Sequence, residues 1–110
     1  MNTTEKKLLL DIREAINSID AHLQNKRDFS LYTGNKTIRR AVERELEIIG
    51  EAVSKLLKQD PTITISYARM IVDLRNQVIH AYDSVNDTII WKVIMKDIPV
   101  LEKEINAFLE

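Results

Sequence analysis

At 110 residues and 45% hydrophobic content, the chain has room for one domain, 1–110, with a thin core that a partner surface would extend. A net charge of -1 sets up no overall field toward nucleic acid or anionic membrane, so neither DNA nor a membrane is an expected partner. The absence of cysteine excludes disulfides and thiolate metal sites, and two glycines and two prolines among many Leu, Ile, Lys and Glu favour helices.

Met1 to Lys7 runs straight into an amphipathic pattern with no secretory leader, and no apolar run approaches the ~18 residues of a membrane span, so a cytoplasmic protein is expected. Thr3 or Thr4 is the expected cap of a first helix running to about Asn25, with Leu8, Leu9, Ile12, Ala15, Ile16, Ile19 and Leu23 at helical spacing. His22 near its end reads as a solvated residue, since no other ligand type lies at metal spacing. Lys26 to Gly34 reads as a connector carrying Phe29 and Tyr32.

Asn35 is a plausible cap for a second helix from about Lys36 to Lys58, whose apolar face includes Val42, Leu46, Ile49, Val53 and Leu56. Glu45 falls inside that face, a charge out of place. Lys36, Arg39, Arg40 and Arg44 cluster on the exposed side, either as a solvated face laced with Glu43 and Glu47 or as a phosphate-contacting patch. Asp60-Pro61 ends the helix, and Thr62 to Ile65 reads as an extended connector. Ser66 is the expected cap of a third helix ending near Tyr82 to Val85. Asn86 or Asp87 caps a fourth, which Pro99 kinks or splits near Asp97. Trp91, the one tryptophan, suits the core or an interface. Helices joined this way predict an all-α, up-down four- to five-helix bundle.

The third helix carries Asp73-Leu74-Arg75-Asn76-Gln77-Val78-Ile79-His80-Ala81-Tyr82. At roughly 100° per residue, Ala68, Ile71, Val72, Val78, Ile79 and Tyr82 all fall within about 60° of Arg75, which places the arginine in the apolar stripe. A buried guanidinium costs several kcal/mol unless compensated. Glu45, opposite in sign and equally out of place, is the first candidate partner, and Glu51 the next. Asn76 and His80 point to the other side. The bland alternative is a purely structural bundle with an Arg75–Glu45 pair. The chemical one pairs an arginine, which holds phosphate bidentately, with a histidine, which moves protons near neutral pH. Together they suit RNA phosphodiester cleavage, where the 2′-hydroxyl is an internal nucleophile and neither metal nor cofactor is required.

Arg75 to His80 followed by Ala81-Tyr82 resembles the R-x-x-x-x-H-x-Y signature of HepT-like proteins, toxin members of the HEPN (higher eukaryote and prokaryote nucleotide-binding) helical superfamily. Arg44-Glu45-Leu46-Glu47-Ile48-Ile49-Gly50-Glu51-Ala52 resembles a second family segment. Trp91 through Leu101, with Asp97-Ile98-Pro99, resembles a third, so that the resemblance covers most of the chain from about Arg39 onward. Glu45 departs from it, standing where relatives often carry Asn or another polar residue. The resemblance implies a homodimer with facing motifs and metal-independent endoribonuclease activity. It also implies a minimal nucleotidyltransferase antitoxin that adenylylates the motif tyrosine. On that pattern Arg75 binds the scissile phosphate, His80 is the acid/base or an orienter, Asn76 supports it, and Tyr82 takes the AMP. A non-catalytic subunit that binds a nucleotide or the nucleotidyltransferase is the alternative.

Overall fold

The structure, a computed structural model, describes residues 1–80 and 87–110, with side chains for 1–75 and 87–110. Helix α1 spans Thr3–His22, and its cap is Asn2 rather than a threonine: Asn2 Oδ1 accepts from the Glu5 N–H at 2.8 Å, satisfying a first-turn amide. The helix stops short of Asn25 because Gln24 and Asn25 turn left-handed, with φ of 57° and 58°. The Asn25 N–H then donates back to the Asp20 carbonyl at 2.8 Å and closes the end.

The expected open connector holds a short helix, α2 (Phe29–Gly34), with Asp28 Oδ1 accepting from Ser30 N–H at 2.9 Å. Six residues are too few to show a period, yet they carry Tyr32 into the core at 0% exposure. Helix α3 spans Lys36–Gln59 and is capped as expected, Asn35 Oδ1 accepting from Ile38 N–H at 3.1 Å. No strand forms between Asp60 and Tyr67. Ser66 does not cap the next helix: its N–H and hydroxyl donate to the Glu104 carboxylate at 3.0–3.2 Å, tying this connector to the last helix. Tyr67, left-handed at φ 63°, leads into α4 (Ala68–His80). The expected end of this helix near Tyr82 to Val85, and Asn86 as a cap, lie outside the described residues.

Helix α5 (Asp87–Lys92) continues through a π-helical turn, Val93–Asp97, into α6 (Ile98–Leu109). Pro99 explains the turn. It has no N–H for the carbonyl four residues back, and its ring crowds that carbonyl. The Ile98 N–H donates instead to Val93 O, five residues back, so the helix widens by one residue where a kink or break was expected.

Helix α3 lies centrally, with α1 on one side, α4 on another and α2 near its start, while α6 packs on α1. Leu9, Ile12, Ile49, Leu56, Ile94 and Leu101, each at 0–1% exposure, fill the space between them. Arg13 Nε reaches Asn106 Oδ1 at 3.1 Å and joins α1 to α6 at the surface. The all-α bundle expected from the periodicity is the architecture found.

Candidate functional site

The crossing of α3 and α4 is built on an absent side chain. Gly50 is buried in the middle of α3, and a Cβ there would collide with Arg75 Cβ while lying 3.0 Å from Arg75 Cγ and 3.2 Å from the Ile71 carbonyl. Glycine costs a helix interior about 1 kcal/mol relative to alanine. Here it lets the root of Arg75 rest directly on the α3 backbone.

That seat corrects the helical arithmetic. Ile71 and Leu74, 3% and 5% exposed, are the fully buried residues at the centre of the described part of α4. Leu74 lies about 100° from Arg75, which moves the stripe's centre away from the arginine. Arg75 is half-buried at the stripe's edge, with its Nε shut off from solvent. A half-buried guanidinium whose stem rests in a helix crossing is a cation of the type that can hold a phosphate group.

The acidic partner proposed for it is engaged elsewhere. Glu45 lies about 140° around α3 from Gly50, on the side toward α1. Its carboxylate, 15% exposed, meets His22 Nε2 at 3.0 Å. The pair joins α1 to α3, and Glu45 borders a cleft of about 350 Å³ lined also by Asp11, Glu14 and Ser18. His22, read as solvated, is thus a carboxylate's partner. Glu51, the second candidate, is exposed and pairs with Lys55 at 3.2 Å. Both carboxylates therefore belong to other contacts than the one proposed.

Helix α4 carries the backbone of Asn76 and His80 onward from Arg75. The side chains of Asn76 and His80, and Tyr82 altogether, lie outside the described residues.

A polar cluster that the pattern of residues does not reveal sits near the start of α3. Arg39 Nη1 approaches Asp87 Oδ2 at 3.8 Å, across from α3 to the first residue of α5. Because Asp87 follows α4 in the chain and meets the beginning of α3, α4 runs antiparallel to α3, and its end points toward this cluster. The Tyr32 hydroxyl is buried and meets no hydrogen-bond partner among the described residues. Burial, reinforced by Asp87 and Glu43, pushes its pKa far up. Burial also raises that of Glu43, against the pull of Arg40 and Arg39. Trp91, half-buried, covers the cluster from α5, its ring centroid 5.7 Å from Tyr32 and 5.8 Å from Phe29. The sequence shows each of these residues but not their meeting, because three separate elements supply them. Gly50 did leave a signal: a lone glycine in a strongly helical run usually has a packing reason.

Fold and site together define a helical protein that presents a seated arginine at the crossing of two helices. The family profile "Ribonuclease HepT-like" matches residues 12–108. The chain is 35% identical over 105 residues to "Putative RNase MJ1380" of Methanocaldococcus jannaschii, covering 91% of this chain and 92% of that one. It is 36% identical over 107 residues to "Probable ribonuclease HepT" of Thermococcus cleftensis, covering 93% of each. No solved structure matches it. The chain belongs to the HepT-like ribonuclease family. No helix among the described residues is long and apolar enough to cross a membrane.

Proposed function

We propose that this chain is an endoribonuclease that cleaves RNA without a metal ion and acts as the toxin of a toxin–antitoxin pair. The observation that carries the reading is Arg75, held by its stem against Gly50 at the α3–α4 crossing, in a chain of a ribonuclease family. In the reaction, the 2′-hydroxyl attacks the adjacent phosphorus, a P–O2′ bond forms as the P–O5′ bond breaks, and a 2′,3′-cyclic phosphate is left. Arg75 neutralises charge on the phosphoryl oxygens. His80 takes the 2′-hydroxyl proton or delivers one to the leaving 5′-oxygen, and Asn76 orients it.

Two features are part of the proposal. The first is a homodimer. On a straight helix Arg75 and His80 diverge by about 140°, so two copies facing each other supply both groups to one phosphate. An apolar groove of about 440 Å³, bordered by Met70, Leu74, Ile89 and Val93 beside α4, offers the face for it. Light scattering that finds a monomer at micromolar concentration rejects the dimer. The second is control by a nucleotidyltransferase antitoxin: the Tyr82 oxygen attacks the α-phosphate of ATP, releases pyrophosphate and becomes an AMP ester that occupies the substrate phosphate's place. Intact mass after incubation with that enzyme and ATP tests it, and an equal gain in Tyr82→Phe overturns it.

The deciding experiment is cleavage of RNA by the pure protein with and without EDTA. Arg75→Ala and His80→Ala are each expected to lose ~10²-fold or more in rate while keeping the fold. Loss of activity in EDTA refutes the metal-free mechanism. RNA binding without cleavage points to a binding subunit.

A further inference from the structure

The cations of α3 are unevenly placed. Within Lys36 to Arg44 stand four cations, Lys36, Arg39, Arg40 and Arg44, against one carboxylate, Glu43, in a chain whose net charge is -1. The structure separates them into two kinds. Arg39 is drawn to Asp87 at 3.8 Å, and Arg44 to Glu47 at 2.9 Å. Lys36 and Arg40 are exposed, and neither is joined in an ion pair among the described residues. Glu43, the carboxylate closest to Arg40 in sequence, is half-buried, and that burial disfavours its charged form.

Their placement relative to Arg75 follows from the helix. Taking Gly50, the seat of Arg75, as the reference direction, Lys36 lies about 40° around α3 and Arg40 about 80°. Both therefore stand on the rim of the side that faces α4, not behind it. They are four residues apart, so one cation follows the other after a rise of about 6 Å. Along the axis Arg40 is about 15 Å and Lys36 about 21 Å from Gly50, in the direction in which α4 runs.

We propose that Lys36 and Arg40 form a track for the RNA backbone that leads away from the Arg75 site along α3. The inference rests on the ribonuclease reading and adds to it where the substrate lies. At roughly 3.4 Å of rise per stacked nucleotide, 15–21 Å corresponds to about four to six nucleotides from the phosphate at Arg75. Single-stranded RNA longer than that touches both ends of the path, whereas a shorter oligonucleotide does not reach the track. The exposed cations, neither of them held in an ion pair among the described residues, contribute affinity through counterion release and carry no base preference.

The test compares the wild type with Lys36→Gln/Arg40→Gln, a change that keeps helix-forming side chains of similar length. Fluorescence anisotropy follows binding of a single-stranded RNA of about twelve nucleotides and of one of roughly four, at several salt concentrations. For the longer RNA, affinity is expected to fall about tenfold at low salt, and the slope of log K against log[salt] to shrink by about 1.4. For the shorter RNA neither quantity changes. In cleavage of the longer RNA, KM rises and kcat stays level. An unchanged affinity and slope overturns the track. So does an equal loss on both RNAs, which marks a general disturbance, and so does a wild type that binds no RNA. If the protein binds RNA with the expected length and salt dependence yet cleaves none, the ribonuclease reading fails and the track stands. If it cleaves and the double variant behaves as wild type, the reverse holds.

Discussion

Gly50→Ala is the sharpest perturbation of the site, because two known effects oppose each other. In an open helix the change removes glycine's penalty and adds about 1 kcal/mol of stability. Here the new methyl would collide with Arg75 Cβ and sit 3.0 Å from Arg75 Cγ, where carbon atoms ordinarily meet at about 3.5–4.0 Å. Arg75 Cβ is fixed by its backbone and cannot rotate away. Helix α4 must therefore withdraw from α3 by something on the order of 1 Å, loosening Ile71 and Leu74. Overpacking of this kind costs about 1–3 kcal/mol. The balance is a loss of about 0–2 kcal/mol, or a fall in Tm of up to roughly 8 °C at about 4 °C per kcal/mol. The withdrawal also displaces the guanidinium, and a shift of ~1 Å at a catalytic group can cost ~10²-fold in rate. Circular-dichroism melting gives the first quantity and the RNA cleavage rate the second. Ser54→Ala, on the same helix four residues on, supplies the propensity gain without the collision. A Gly50→Ala protein that melts higher than wild type and cleaves at full rate would show that the crossing does not set Arg75.

Three other variants probe the surroundings. Glu45→Ala should leave the cleavage rate within about twofold and cost about 1 kcal/mol or less in denaturant titration, because its carboxylate serves His22. A ~10²-fold loss would return Glu45 to the site. The Tyr32 phenol stays protonated in the fold well above its ordinary 10.0, so its contribution is intact below that pH and drains away as pH rises past it. Tyr32→Phe should therefore shift alkaline unfolding, followed by Trp91 fluorescence, to higher pH, and an unchanged midpoint contradicts the burial argument. Glu43 has a raised pKa in the fold, first from burial, so it is most favourable to folding below 4.5 and least so once ionised. Glu43→Gln should raise the urea midpoint at neutral pH and lose that advantage on acidification. The opposite trend would mean that Arg40 and Arg39 outweigh burial.

The extent to which the sequence alone could be read follows from where each interaction lies along the chain. Helices α1, α3 and α4, the cap at Asn35, the end at Asp60-Pro61 and the disturbance before Pro99 are local: neighbours within a turn or two decide them, so periodicity and propensity reach them. The odd position of Arg75 was likewise visible as a charge in an apolar pattern. Its environment was not. Two charges that break their stripes need not face each other, since a helix has several sides. Glu45 turned to α1 and His22, while Arg75 turned to α3 and Gly50. The cluster of Tyr32, Arg39, Glu43 and Asp87 draws on three helices, and no spacing within one segment encodes it. Lys36 and Arg40 were visible as charges from the outset. Packing distinguished them from Arg39, whose partner Asp87 only the folded chain brings near, whereas Arg44 meets Glu47 three residues on within α3, at a spacing the sequence already shows.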